Sequence, residues 1–262
     1  MLDLWWLIIF GFFIGILASM TGVGGGIFIV PILTFFYAFI VNSATGTSLT
    51  TIIFTAIAST INYAKQKRIY YKTGLILVIT TAPGAYIGAW IATIMEERLL
   101  GFTFGVFLIL VAARTILTVI RKKTQNKQTA IMTDTQIIHS GKTITLGVGL
   151  GFFGGVASGL LGIGGGTLIV PIMSIALVMP IHYATATSMF TMIFTSISAV
   201  TKYYQSNLIN FPVALTLAAG TIIGAQVGAY TSKKLSSRNL TLIFAIILII
   251  AGANMIIKYW PT

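Results

Sequence analysis

The chain has 262 residues, of which 56% are hydrophobic and only 8% are charged, whereas an ordinary soluble domain carries about 25% charged residues. This composition excludes a water-soluble protein and predicts an all-α integral membrane protein, since the apolar stretches approach the ~20 residues that a membrane helix needs. The formal net charge of +12 comes from Lys and Arg scattered between apolar segments, a pattern that does not indicate nucleic-acid binding. The chain contains no cysteine, which excludes disulfides and thiolate metal sites.

Five apolar segments come first and predict helices at about 4–20, 27–41, 44–64, 73–95 and 99–120. After a polar stretch, the chain repeats itself at a constant offset of 140 residues without a gap, so that G-x-G-G-G and I-V-P-I recur in the same register. We therefore predict a first membrane repeat at 1–120, a cytoplasmic polar linker at 121–142 and a second membrane repeat at 143–262.

The repeats are predicted to have opposite orientations in the membrane. Five segments per copy is an odd number, and it stays odd if the first two segments form a re-entrant hairpin instead of spanning. With the linker in the cytoplasm, 13 of the 16 Lys and Arg residues fall on the cytoplasmic side, as expected because basic residues accumulate in cytoplasmic loops. Both termini would then face outward from a plasma membrane.

Each copy carries a glycine-rich break followed by a short segment with a proline at its fifth position. Glycines at this density allow positive φ and let main-chain N–H groups approach a ligand, and the helix that begins next directs its unpaired N–H groups at an anion. Close helix packing is the alternative role, but paired breaks in inverted repeats are typical of transporter substrate sites. The candidate substrate-binding residues are Gly22, Gly24, Gly25, Gly26, Ile27, Gly162, Gly164, Gly165, Gly166 and Thr167, with Pro31 and Pro171 as hinges.

A second candidate cluster is the A-T-x-T-S run near the start of the third segment in each copy. Its hydroxyls could cap the helix N-terminus or donate to an oxyanion, and the two roles are compatible. The candidate residues are Thr45, Thr47, Ser48, Thr185, Thr187 and Ser188.

Acidic residues are confined to the predicted loops and the N-terminus, so the spans offer no carboxylate for a cation or a proton relay. The sequence also lacks a nucleophile motif, paired histidines and a nucleotide-binding motif, so we predict neither an enzyme nor a metal or cofactor site. Asn62, Gln226 and Lys202 are weaker candidate ligands, with interfacial snorkelling as the alternative for the lysine.

Two copies of G-x-G-G-G-x-[LIF]-[IL]-V-P, each followed by A-T-x-T-S, resemble the TauE/SafE family of membrane permeases, the sulfite exporters. The resemblance covers almost the whole chain and implies transport of sulfite, sulfoacetate or other organosulfonates. It points to the glycines of both breaks, to both prolines, and to Thr47, Ser48, Thr187 and Ser188. Gly46 stands opposite Ala186 and departs from strict symmetry between the copies.

Together these features predict a secondary transporter that moves a small oxyanion by alternating access, with Gly-broken helices at the repeat interface. An anion channel or a membrane subunit of a larger complex is the alternative. The expected partners are the anionic substrate and membrane lipid, and the sequence leaves open whether the protein forms a homo-oligomer.

Overall fold

The computed structural model describes residues 4–121, 141–177, 179–232 and 238–260, and every regular element in these ranges is a helix. The predicted linker at 121–142 lies outside the described residues apart from its two ends. The helices are α1 (Leu4–Thr21), α2 (Gly26–Phe36), α3 (Val41–Lys65), α4 (Tyr71–Ile94), α5 (Glu97–Arg121), α6 (Gly141–Leu161), α7 (Gly166–Pro171, continued by a π-helical turn at Ile172–Ala176), α8 (Ile181–Gln205), α9 (Phe211–Thr231) and α10 (Arg238–Lys258).

Five of the described helices are long and apolar enough to cross a membrane, namely α3, α4, α5, α8 and α9. By contrast, α2 has 11 residues and rises only about 16 Å, roughly half of the hydrocarbon thickness of ~30 Å. It folds back along α1, because the ring of Phe36 stacks on that of Phe10 at a centroid distance of 6.3 Å. The first two helices therefore form a hairpin around the glycine break.

The chain forms two compact units. The first contains the described parts of residues 1–94 and 131–233, and hence helices α1–α4 and α6–α9. The second contains α5 and α10, which pack closely because Gly105 and Gly252 let their backbones approach each other. Both compact units therefore combine helices from both sequence repeats.

Within the first unit the two repeats exchange their fourth helices. Helix α4 packs against α6, and α9 packs against α1. The contacts are backbone to backbone, since a Cβ added at Gly88 would overlap Val156 O and one added at Gly224 would overlap Phe12 O. Gly84, Gly88, Gly224 and Gly228, spaced by four along α4 and α9, therefore form the close-packing faces of these helices.

This exchange defines two four-helix groups. The first bundle consists of α1, α2, α3 and α9, and the second bundle consists of α4, α6, α7 and α8. Each bundle therefore holds the first three helices of one repeat and the fourth helix of the other. Helices α3 and α8 pack against each other and join the two bundles.

Two predicted helix boundaries are wrong. Helix α2 ends at Phe36, and the chain then turns through Ala38, whose φ is +55°. Helix α3 begins at Val41, so the A-T-x-T-S run lies inside the helix rather than at its start. Its N-cap is Ile40, and the N-cap of α8 is Pro180, neither of which makes a side-chain capping bond. The predicted N-capping role of the Thr and Ser hydroxyls is therefore wrong as well.

Candidate functional site

The two glycine breaks form loops with nearly the same backbone conformation. We call residues 22–27 the first glycine loop and residues 162–167 the second. Gly24 and Gly25 have φ values of +90° and +94°, and Gly164 and Gly165 have +74° and +85°. These values lie in the left-handed region that other residues rarely adopt, which explains why the sequence places glycine at these positions in both copies.

The two loops cross in direct contact. A Cβ added at Gly26 of the first loop would overlap Gly162 O of the second, and one added at Gly166 would overlap Gly22 O. The two contacts exchange under the 140-residue offset, so the loops are related by a local twofold arrangement. Both breaks are predicted to lie at one interface between the repeats, and the structure brings them together.

The crossing lies close to the middle of two membrane-spanning helices. A Cβ added at Gly24 would lie 2.7 Å from Met192 Sδ and 3.4 Å from Ile52 Cγ2. A Cβ added at Gly164 would contact the same two atoms, at 3.1 Å from Met192 Sδ and 2.8 Å from Ile52 Cγ2. Ile52 and Met192 are each the twelfth residue of a 25-residue helix, α3 and α8 respectively. The loops therefore meet deep inside the first compact unit, far from the ends of its spans.

Each loop presents a run of buried main-chain N–H groups without hydrogen-bond partners. In the first loop, Gly25 O accepts hydrogen bonds from Phe28 N at 3.0 Å and Ile29 N at 3.1 Å. The N–H groups of Gly24, Gly25, Gly26 and Ile27 donate to no acceptor among the described residues.

The second loop repeats this pattern. Leu168 N and Ile169 N donate to Gly165 O, while the N–H groups of residues 164–167 find no acceptor in the described part of the chain. Buried backbone donors are almost always paired, and consecutive N–H groups in left- and right-handed conformations form concavities that bind anions. The two loops thus concentrate donors where a negatively charged group would satisfy them.

The serines of the A-T-x-T-S runs fasten the loops across the interface between the bundles. Ser48 Oγ donates to Gly162 O at 2.9 Å, and Ser188 Oγ donates to Gly22 O at 3.0 Å and to Thr185 O at 2.8 Å. The hydroxyls therefore hold loop carbonyls in place. Thr45 Oγ1 donates to Val41 O within its own helix.

The second threonine of each run instead supports the start of a neighbouring helix. Thr47 Oγ1 accepts a hydrogen bond of 3.0 Å from Asn210 N, just before α9. Thr187 Oγ1 accepts one of 3.0 Å from Tyr70 N, just before α4. These hydroxyls fix the exchanged fourth helices against the helices that carry the run.

Comparison with known proteins places this arrangement in a family. The sequence model described as "Sulfite exporter TauE/SafE" matches residues 7–258. The chain belongs to the TauE/SafE sulfite exporter family. It is therefore a multi-pass membrane transporter, and the resemblance drawn from the paired motifs is confirmed.

Curated relatives of this TauE/SafE protein have matching lengths. It is 34% identical to the "Probable membrane transporter protein YunE" of Bacillus subtilis, over 95% of this chain and 96% of that protein. It is 30% identical to a probable membrane transporter protein of Methanocaldococcus jannaschii, over 96% and 94% of the two chains. No solved structure matches the chain.

The weaker candidates of this TauE/SafE transporter lie away from the crossing. Asn62 Nδ2 donates to Gln226 Oε1 at 3.0 Å and to Gln226 O at 3.1 Å, while Gln226 Nε2 donates to Ala58 O at 2.8 Å. The two amides therefore satisfy each other within the first bundle. Lys202 lies half-buried in the last turn of α8.

Two buried hydroxyls at the second loop, Ser158 Oγ and Thr167 Oγ1, have no partner among the described residues, and the same is true of Ser19 Oγ, Thr60 Oγ1 and Ser196 Oγ elsewhere in the first compact unit. The glycine motif predicts Thr167 as a site residue but not Ser158, which lies one turn before the loop in α6. An alignment of the two repeats identifies Ser158 as a candidate, because this serine aligns with Ala18 at the 140-residue offset. At such positions one repeat has a polar side chain and the other an apolar one, so the two halves of this TauE/SafE fold differ there.

Acidic groups are absent from the first compact unit as far as the structure describes it. The carboxylates in the described ranges are Glu96 and Glu97, at the start of α5 in the second unit. No group of three or more His, Cys, Asp or Glu side chains suited to a metal occurs in the described part of the chain.

Proposed function

We propose that this TauE/SafE protein is a secondary transporter that carries a small oxyanion, such as sulfite or an organosulfonate, at the crossing of the two glycine loops. The observation that carries the proposal is the pair of contacting loops, each with consecutive buried N–H groups that lack an acceptor. The substrate ligands are the main-chain N–H groups of residues 24–27 and 164–167. Ser48 and Ser188 hold the loop carbonyls, and Thr47 and Thr187 hold the helices around the site.

The charge distribution supports an anion over a cation. A cation bound at mid-membrane depth is normally met by carboxylates, and the described residues of the first compact unit contain none. N–H groups are donors and cannot coordinate a cation. Unpaired backbone donors at the start of a helix favour negative charge without a fixed Arg or Lys.

For the transport movement, we propose rocking of the first bundle against the second about the contact between α3 and α8. Each fourth helix is locked to the opposite repeat through glycine-mediated packing, which opposes the movement of one whole repeat past the other. Few described side-chain hydrogen bonds cross between the bundles. Ser48 to Gly162 O, Ser188 to Gly22 O and Asn42 Nδ2 to Ala92 O are among them. Pro31 and Pro171 serve as hinges beside the crossing.

The proposed membrane topology has inverted repeats in a plasma membrane, with both termini outside and the linker in the cytoplasm. The excess of basic residues in the linker and in the loops on its side supports that orientation.

Flux measurements on purified protein in liposomes test the proposal. Sulfite, sulfoacetate and a panel of other anions are offered to one side, with Na⁺ and K⁺ as cation controls. We expect saturable uptake of at least one sulfur oxyanion and no cation flux. Uptake that does not saturate, or unitary currents in a planar bilayer, would support an anion channel instead. Cation flux without anion flux would refute an anion carrier of either kind.

A further inference from the structure

The second glycine loop has hydroxyl side chains at two positions where the first loop has apolar ones. Ser158 is fully buried and its Oγ has no partner, and it lies against the loop, since a Cβ added at Gly165 would lie 3.3 Å from Ser158 Oγ. Thr167 is 7% exposed, and its Oγ1 also has no partner. Thr167 is two residues past Gly165, so both hydroxyls flank the same backbone segment.

At the corresponding positions of the first loop stand Ala18 and Ile27. Ala18 packs against Gly25 in the way that Ser158 packs against Gly165. The two loops thus share their unpaired backbone N–H groups, but at these two positions the first loop has aliphatic side chains where the second has hydroxyls. Unpartnered buried hydroxyls also occur at Ser196 in the second bundle and at Ser19 and Thr60 in the first, but Ser158 is the one whose Oγ lies against a glycine of a loop.

A buried hydroxyl without a partner destabilises the protein, because its lost hydrogen bonds to water are not replaced. Ser158 and Thr167 carry this cost beside a loop whose N–H groups are also unpaired. A ligand with several oxygen atoms offers acceptors to both kinds of group.

Building on the proposed function, we infer that Ser158 and Thr167 form an oxygen-binding subsite in the second glycine loop, where they donate to the oxyanion and make this loop the principal anchor of the substrate. The substrate then remains with the second bundle during the rocking movement, and the apolar Ala18 and Ile27 side of the first loop closes over it.

The test uses the full-length protein in liposomes with sulfite, or with the best substrate of the anion panel. The double variant Ser158→Ala with Thr167→Val removes both hydroxyls at nearly constant volume. We expect its KM to rise about tenfold or more, since hydrogen bonds to a charged group are lost. Thr167→Ser keeps a hydroxyl and should retain a KM near that of the wild type. Ser59→Ala is the matched control, because Ser59 is equally buried but donates to Thr55 O within its own helix.

Thermal unfolding in detergent separates binding from structure. The double variant should unfold at a temperature no lower than the wild type without substrate, because the lost hydroxyls had no protein partner. Its stabilisation by added substrate should be much smaller than that of the wild type. Unchanged KM and unchanged substrate stabilisation in a transporting protein would overturn the subsite and leave the proposed function intact. A wild-type protein that moves none of the anions would refute the proposed function and the subsite together.

If the double variant does not fold, the two single variants give the same comparison. A KM rise in neither of them would overturn the subsite.

Discussion

Ser48 of the first repeat donates a 2.9 Å hydrogen bond to the carbonyl oxygen of Gly162 in the second repeat. Ser188 of the second repeat donates the equivalent hydrogen bond, of 3.0 Å, to the carbonyl oxygen of Gly22 in the first repeat. Both bonds connect the two bundles at the point where the glycine loops cross. They fix the peptide units between Gly22 and Val23 and between Gly162 and Ile163, which are rigid and directly precede the unpaired N–H groups of each loop.

We therefore predict that Ser48→Ala and Ser188→Ala each reduce oxyanion flux severalfold. Each variant loses one net hydrogen bond of about 1 kcal/mol, so the melting temperature should fall only modestly while the loop loses its fixed orientation. Liposome flux and thermal unfolding measure the two effects. Thr216→Val is the control, because this half-buried residue bonds only its own helix at Pro212 O. Normal flux in both serine variants would remove these bonds from the transport mechanism.

Thr47→Val and Thr187→Val should act mainly on folding. Each change leaves a backbone N–H, that of Asn210 or Tyr70, without its hydroxyl acceptor, at a cost of about 1–3 kcal/mol. We expect lower melting temperatures and lower yields of folded protein, with KM little changed in the protein that does fold. Thr47→Ser keeps the acceptor and should restore stability. A large rise in KM at normal stability would show instead that the hydroxyl binds substrate.

Gly26→Ala and Gly166→Ala should prevent the loops from crossing. The new methyl group would overlap a backbone carbonyl, Gly162 O or Gly22 O, and neither can withdraw as a flexible side chain could. We expect little folded protein from either variant. Gly149→Ala is the matched control, since nothing lies within 4 Å of a Cβ added there and alanine is the better helix former by about 1 kcal/mol. Folded, active Gly26→Ala protein would contradict the crossing.

The sequence predicts much of this arrangement because the repeat supplies its own comparison. Glycine breaks in the same register predict two like loops, and glycines spaced by four predict close-packed helices. The exchange of α4 and α9 is not predictable, because any small-residue face can pack against any other. The start of α3 is also missed: Val41 and Asn42 are poor helix formers and no capping residue precedes them, so the hydroxyl run further on was the more obvious start.

The pair formed by Tyr259 and Glu97 predicts a pH effect in the second compact unit. Burial raises the pKa of the Tyr259 phenol, and the Glu97 carboxylate, which accepts its hydrogen bond at 3.1 Å, raises that pKa further. The ordinary value is about 10. Because the folded pKa lies above the unfolded one, the protonated phenol contributes stability below pH about 10 that is lost as the pH rises through the folded pKa.

Ultraviolet titration of tyrosine ionisation measures this shift as the difference between the wild type and Tyr259→Phe. We expect the difference signal to titrate above the ordinary tyrosine range. In Glu97→Gln the pKa of Tyr259 should fall yet stay raised, because burial remains. A Tyr259 signal with an ordinary midpoint in the wild type would contradict the buried pair.

The opposite orientation of the repeats is testable at one matched pair of residues. Lys67 and Asn207 are separated by 140 residues, are both exposed, and share a φ of +54° just after α3 and α8. The protein has no cysteine, so Lys67→Cys and Asn207→Cys each introduce a single reactive thiol. Inverted repeats place Lys67 in the cytoplasm and Asn207 outside. A membrane-impermeant maleimide should therefore label Asn207→Cys in intact cells and Lys67→Cys only after permeabilisation. Because the local structure at the two sites is the same, a difference in labelling reports sidedness rather than reactivity, and equal labelling in intact cells would refute the inversion.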